Sequence, residues 1–128
     1  MRSGRRTPGL LQELIGALRG SGIRVYNGQR FMATTAVSSA FYTVLENDCL
    51  ILADGTSNTV AITLPSAALH KNRILSFKRI QSGGNNITIT RAGSDTIEGS
   101  TSITLSAQYD SRLLVSDGGT LWYLLSTT

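Results

Sequence analysis

Chemistry in this chain would have to come from very few side chains. The 128 residues include one histidine, His70, and one cysteine, Cys49. A Ser/His/Asp arrangement is spatial, so spacing alone does not exclude one. No nucleophile-elbow pattern surrounds a serine, however, and His70 sits beside Lys71 in a stretch after Pro65 that reads as a solvated loop. Cys49 opens the apolar run Cys49-Leu50-Ile51-Leu52-Ala53 and reads as a buried, inert thiol. A single cysteine also excludes an internal disulfide framework. One His and one Cys with scattered acids offer no metal-ligand spacing. Asp54-Gly55-Thr56-Ser57-Asn58 is rich in oxygen, but it lacks the alternating pattern and terminal Glu of a calcium loop and reads as a turn. The glycine-rich stretches are not phosphate loops, since no Gly-Lys-Ser/Thr follows them and none precedes a helix. The expected catalytic, metal and cofactor residues are therefore none, and no small-molecule substrate is implied. The chain reads as non-enzymatic.

Composition points the same way. The chain is 41% hydrophobic but only 16% charged, against about 25% charged in typical soluble domains. Ser, Thr, Gly and Asn fill the difference, as they do in fibres, coats and β-rich binding modules. Charge is also divided unevenly. Residues 1–35 carry Arg2, Arg5, Arg6, Arg19, Arg24 and Arg30 against Glu13 alone, whereas the remainder carries six basic and seven acidic residues. Two readings stand side by side: an N-terminus that docks on something acidic, or a solvated basic tail.

The elements that must position these residues fall into three zones. Residues 8–19 form the helix candidate, with Thr7 as cap, Pro8 at the first turn and Gly20 at the stop. Leu11, Leu14, Ile15 and Leu18 make one apolar stripe along it. The segment is far short of the ~20 apolar residues that span a bilayer, and its interruptions by Gln12, Glu13 and Gly16 do not fit a secretory signal. A chain kept in a cytoplasm, or assembled into a particle there, is the expectation. The second zone contains a hairpin over 23–31, turned at Asn27-Gly28. Residues 33–40, small and uncharged, read as a linker.

The third zone is a run of short strands separated by turn chemistry. Candidates are 42–45, 49–53, 59–64, 73–80, 86–91, 96–98, 102–106, 111–116 and 121–125. Val60, Ile62 and Leu64 alternate with small or polar residues, as do Ile87 and Ile89, and Ile103 and Leu105; the opposite face is largely Thr and Ser. No helix separates the strands and no solenoid period repeats cleanly, so the predicted fold class is all-β, an antiparallel β-sandwich or barrel. Residues 1–35 would be an arm of helix and hairpin, and 36–128 the folded domain.

Tyr42, Phe77, Tyr109, Trp122 and Tyr123 could form a sugar-stacking platform, but aromatic residues more often fill a core or an interface. In Leu121-Trp122-Tyr123-Leu124-Leu125 both faces of the strand are apolar. The favoured assignment for Tyr42, Phe77, Leu121, Trp122, Tyr123 and Leu125 is core plus a seam between subunits.

Seven fragments occur in a particular order: Tyr42-Thr43-Val44-Leu45, Asp48 to Ala53, Val60-Ala61-Ile62-Thr63-Leu64-Pro65, Phe77-Lys78-Arg79-Ile80, Gly83-Gly84-Asn85-Asn86, Thr96-Ile97-Glu98-Gly99, and Ser116-Asp117-Gly118-Gly119-Thr120-Leu121-Trp122-Tyr123. In that order they resemble a C-terminal β-domain module of tailed-bacteriophage tail-fibre and decoration proteins, over about two thirds of the chain. The resemblance implies a virion protein, a homotrimer used for attachment, capping or decoration. The chain lacks a long fibrous shaft, which favours a capsid-decoration (cement) protein or short tail appendage. Its partners would be other virion proteins of the capsid or tail. Anchoring to the particle is expected from Arg2, Arg5, Arg6, Leu11, Leu14, Ile15, Leu18, Arg24, Tyr26 and Arg30. The alternative is a tip module that binds a receptor or host-surface glycan, and a third reading is nucleic-acid binding through the arginine-rich start.

Overall fold

The computed structural model describes residues 23–26 and 29–127. The predicted helix over 8–19, with Arg2, Arg5, Arg6, Leu11, Leu14, Ile15 and Leu18, lies outside the described residues. Strands β1 (Ile23–Tyr26) and β2 (Gln29–Met32) pair antiparallel. Arg24 and Tyr26 lie on β1 and Arg30 on β2.

Ten further strands follow: β3 (Thr34–Val37), β4 (Phe41–Thr43), β5 (Leu50–Ala53), β6 (Val60–Thr63), β7 (Ile74–Arg79), β8 (Ile87–Thr90), β9 (Thr96–Ile97), β10 (Ser102–Leu105), β11 (Ser111–Ser116) and β12 (Leu121–Thr127). They build a four-stranded sheet in the order β10-β8-β6-β4 and a six-stranded sheet in the order β3-β5-β7-β11-β12-β9. All nine strands predicted beyond residue 41 are present. The expected linker over 33–40 is corrected, because Thr34 to Val37 pair with Leu50 to Ala53 as an edge strand. A domain boundary at residue 36 would cut this strand in two.

The predicted antiparallel arrangement is corrected as well: both sheets are mixed. Strands β3, β5 and β7 run parallel in one sheet, and β4, β6 and β8 run parallel in the other. Parallel neighbours need a crossover connection, usually a helix. Here each crossover contains a strand of the opposite sheet, so the chain alternates between sheets and lays down three coils. Strands β10 and β11 then pair antiparallel with β8 and β7. The register shows why no period is visible in the sequence. One coil advances 16 residues, from Thr34 to Leu50, and the next advances 26, from Leu50 to Ser76.

Inward side chains from both sheets share one core, including Ile51, Leu75, Phe77, Leu114 and Trp122 from the larger sheet and Val60, Ile62, Ile87, Ile89 and Leu105 from the smaller. The coils are also tied through their turns. The Asn58 side-chain amide donates to the Ser38 carbonyl (3.0 Å), and the Asn85 backbone N–H donates to the Gly55 carbonyl (2.9 Å). Gly55 must be glycine, since a Cβ there would run into the backbone carbonyl oxygen of Asn85.

Candidate functional site

The side chains that could do chemistry are committed to local structure. His70 follows a short 3-10 turn, Ala67–Leu69, and its side chain is only 15% exposed. This corrects the expected solvated loop residue. Its Nδ1 lies 2.8 Å from the Ser66 carbonyl oxygen and its Nε2 lies 3.0 Å from Glu46 Oε1. Both ring nitrogens thus face acceptors, and the His70 contact holds the Glu46 carboxyl below its ordinary range. Cys49 is buried, which pushes its thiol up and disfavours the nucleophilic thiolate. Asp54 Oδ1 accepts from Thr56 N and Thr56 Oγ1 at 2.9 and 2.6 Å, so this loop closes on itself as a turn. Among the described residues no group of three His, Cys, Asp or Glu side chains could hold a metal ion.

A polar hub joins the first two coils. Asp48, 5% exposed, takes hydrogen bonds from Thr35 Oγ1, Tyr42 Oη and Leu45 N, each at 2.7 Å. Arg73 Nη2 donates to the carbonyls of Leu45 at 2.6 Å and Asp48 at 2.9 Å. Burial, and then the bond to Asp48, push the Tyr42 phenol up from its ordinary 10.0 to about 12. Tyr42 therefore keeps its proton in the folded chain where the unfolded chain has already lost it. The stability it contributes is complete below pH 10 and is lost as pH rises from 10 towards 12. Thermal midpoints measured across this interval should fall more steeply for the parent chain than for Tyr42→Phe; parallel curves would refute the assignment.

The predicted core-and-seam residues are not brought together. Phe77 and Trp122 are fully buried in the core, and Tyr42 packs against it. With its members so divided, the aromatic platform considered from the sequence does not assemble. Leu121, Tyr123 and Leu125 alternate with Trp122 and point away from the core, Tyr123 at 46% and Leu125 at 53% exposed. They have company that the sequence analysis missed. Leu50 and Leu52 on β5, Ile74 on β7, and Leu113 and Val115 on β11 occupy outward positions of the same sheet. The signal was available, because Leu50-Ile51-Leu52 and Leu113-Leu114-Val115 are apolar on both faces, just as 121–125 is. Among the outward residues of these four strands the one charge is Lys78, and its ammonium lies 5.7 Å from the centre of the Tyr109 ring.

No protein-family model matches this chain, and no curated protein is significantly similar to it.

The four-stranded sheet turns a different surface outward. Its register aligns Phe41, Ala61, Thr88 and Thr104 in one row, and Thr43, Thr63, Thr90 and Ser102 in the next. Neither row contains a charged residue. Phe41, at 82% exposure, is the most exposed large apolar side chain among the described residues. It lies just before the strand predicted to begin at Tyr42, so the sequence pattern placed it on no face.

Proposed function

We propose that this chain is a structural protein of a bacteriophage virion, a homotrimeric capsid-decoration protein or short tail appendage held to the particle by its N-terminal arm. The observation that carries the reading is the apolar outward face of the six-stranded sheet, built from Leu50, Leu52, Ile74, Leu113, Val115 and Tyr123. Ile74 and Tyr123 are exposed and the other four half-buried, with Ser76 and Lys78 standing between the β5 and β11 members. Outward apolar surface marks interaction sites, and a homo-oligomer covers such a face with further copies of itself. The ordered fragments that resemble the phage module contain three of these six residues, Leu50, Leu52 and Tyr123, which adds support from the sequence. Arginines concentrated in residues 1–35 suit contact with an acidic particle surface.

Light scattering on the full chain tests the assembly. The expected mass is three times the 13.7 kDa of one chain, and Leu52→Glu combined with Leu113→Glu should yield a folded monomer. A parent chain that is monomeric at micromolar concentration would overturn the seam. Mass spectrometry of purified particles tests the location, with the protein expected at a fixed copy number per virion.

A further inference from the structure

We infer that the outer edge of β3 is completed by the β1–β2 hairpin of a second copy, so that copies are joined through backbone hydrogen bonds. The inference rests on the homo-oligomeric reading above and gives it a second contact, separate from the apolar sheet face.

The edges of the two sheets are not alike. At one end β9 is only two residues long, and past it the Leu124 N–H donates to Glu98 Oε2 at 2.8 Å. Glu98 stands in the left-handed region, φ 49°, a conformation that costs energy in a non-glycine residue. On the neighbouring edge strand β10, the Thr104 carbonyl accepts from Arg112 Nη2 at 3.3 Å. Short edge strands and charged side chains laid on edge groups block the addition of further strands. At the other end, β4 has three residues, and its Phe41 carbonyl accepts from Ser39 Oγ at 3.0 Å. Strand β3 has no such guard. Leu50 N donates to Ala33 O and Asp54 N to Val37 O, and alternate residues of a parallel ladder turn both backbone groups to the same side. Ala33, Thr35 and Val37 therefore face β5, and the N–H and C=O of Thr34 and Ala36 face outward. Among the described residues nothing bonds to these four groups.

The hairpin is the complementary case, two strands that belong to neither sheet. Strands β1 and β2 form a two-stranded sheet of their own, which is marginal in water. Each has four residues, the length of β3. Ala33 alone separates β2 from β3, and its carbonyl is held by Leu50. Reversing a strand takes a loop of at least two residues, so β2 does not fold back on the edge of its own β3. The register of Ile23 with Met32 could bring the residues before Ile23 towards that edge, but Gly20-Ser21-Gly22 has low strand propensity. A second copy is under no such restriction, and its hairpin can lie along a neighbour's β3. Exchange of an identical element is a low-cost route to association, and short hinges favour it.

Amide hydrogen exchange on the full chain tests this. The N–H groups of Thr34 and Ala36 should exchange slowly in the assembled protein, together with those of β1 and β2, and all should become fast on dilution to monomer. Ala36→Pro removes one outward donor and leaves the ladder to β5 in place. It should weaken association about tenfold while the amides of β5 and β7 stay protected, and Ala36→Val, which keeps the N–H, should associate as the parent does. Fast exchange of Thr34 and Ala36 in an assembled protein would overturn the hairpin exchange and leave the homotrimer standing. Protection that persists in the monomer would also overturn it, by giving the edge to residues of the same chain, as would association unmoved by Ala36→Pro. A chain that is monomeric at every concentration would overturn the homo-oligomeric reading itself.

Discussion

Trp122→Ala should lower the stability of the chain by about 3–5 kcal/mol, the range for deleting a large buried aromatic side chain. Trp122 has no exposed surface and packs in the core shared by both sheets. Its backbone carbonyl accepts from Glu98 N at 3.1 Å and it pairs with Ile97 on β9, so the cavity would open where β9 joins the sheet. Among the described residues the indole Nε1 has no hydrogen-bond partner. Trp122→Phe should therefore recover much of the loss, because a ring remains and a buried donor, costing about 1–3 kcal/mol when unpaired, is removed. Urea denaturation at one fixed protein concentration measures both, since association makes stability concentration-dependent. A loss below about 1 kcal/mol for Trp122→Ala would contradict the burial.

Asp48→Ala should cost about 3 kcal/mol, because it strands three donors at once. Thr35 Oγ1, Tyr42 Oη and Leu45 N each lose their acceptor, and a hydrogen bond to a charged group is worth about 1.5–3 kcal/mol before solvent and relaxation recover part of it. Asp48→Asn discriminates between lost volume and lost acceptors. Its carbonyl can still serve Tyr42 and Leu45, and the Thr35 hydroxyl can reverse to accept from the amide. About half of the loss should return. An asparagine variant as unstable as the alanine variant would mean that charge, and not hydrogen-bond count, holds the hub.

The β-content of this fold is legible in the sequence because alternation is direct evidence of a sheet with one buried face. Val60-Ala61-Ile62-Thr63 and Ile87-Thr88-Ile89-Thr90 declare themselves in this way. Strand β3 does not. Thr34-Thr35-Ala36-Val37 contributes one buried apolar side chain, Val37, and owes its conformation to pairing with β5 rather than to its own hydrophobicity. Strand direction is equally hidden, since alternation is the same in parallel and antiparallel neighbours. A run of strands without helices between them argues for antiparallel pairing, and here a strand in the facing sheet supplies the parallel crossover instead. Of the expected site residues, Tyr123 and Leu125 lie on an outward face as a two-faced strand requires, while Phe77 and Trp122 belong to the interior. Nothing in the local pattern of Phe41 separates an exposed aromatic from a buried one. Its position follows only from the register with Ala61.

The stack of coils has two unlike ends. Beyond the third coil, β10 and β11 run against β8 and β7 and seal both sheets with strands of opposite direction. Before the first coil, β3 and β4 are the last strands of their sheets. A duplicated coil placed ahead of β3 would find two strands of matching direction to extend, whereas one placed after β8 would have to displace the closing strands. The architecture therefore lengthens in one direction only, and in descendants of this chain any gain in reach would accumulate on its N-terminal side.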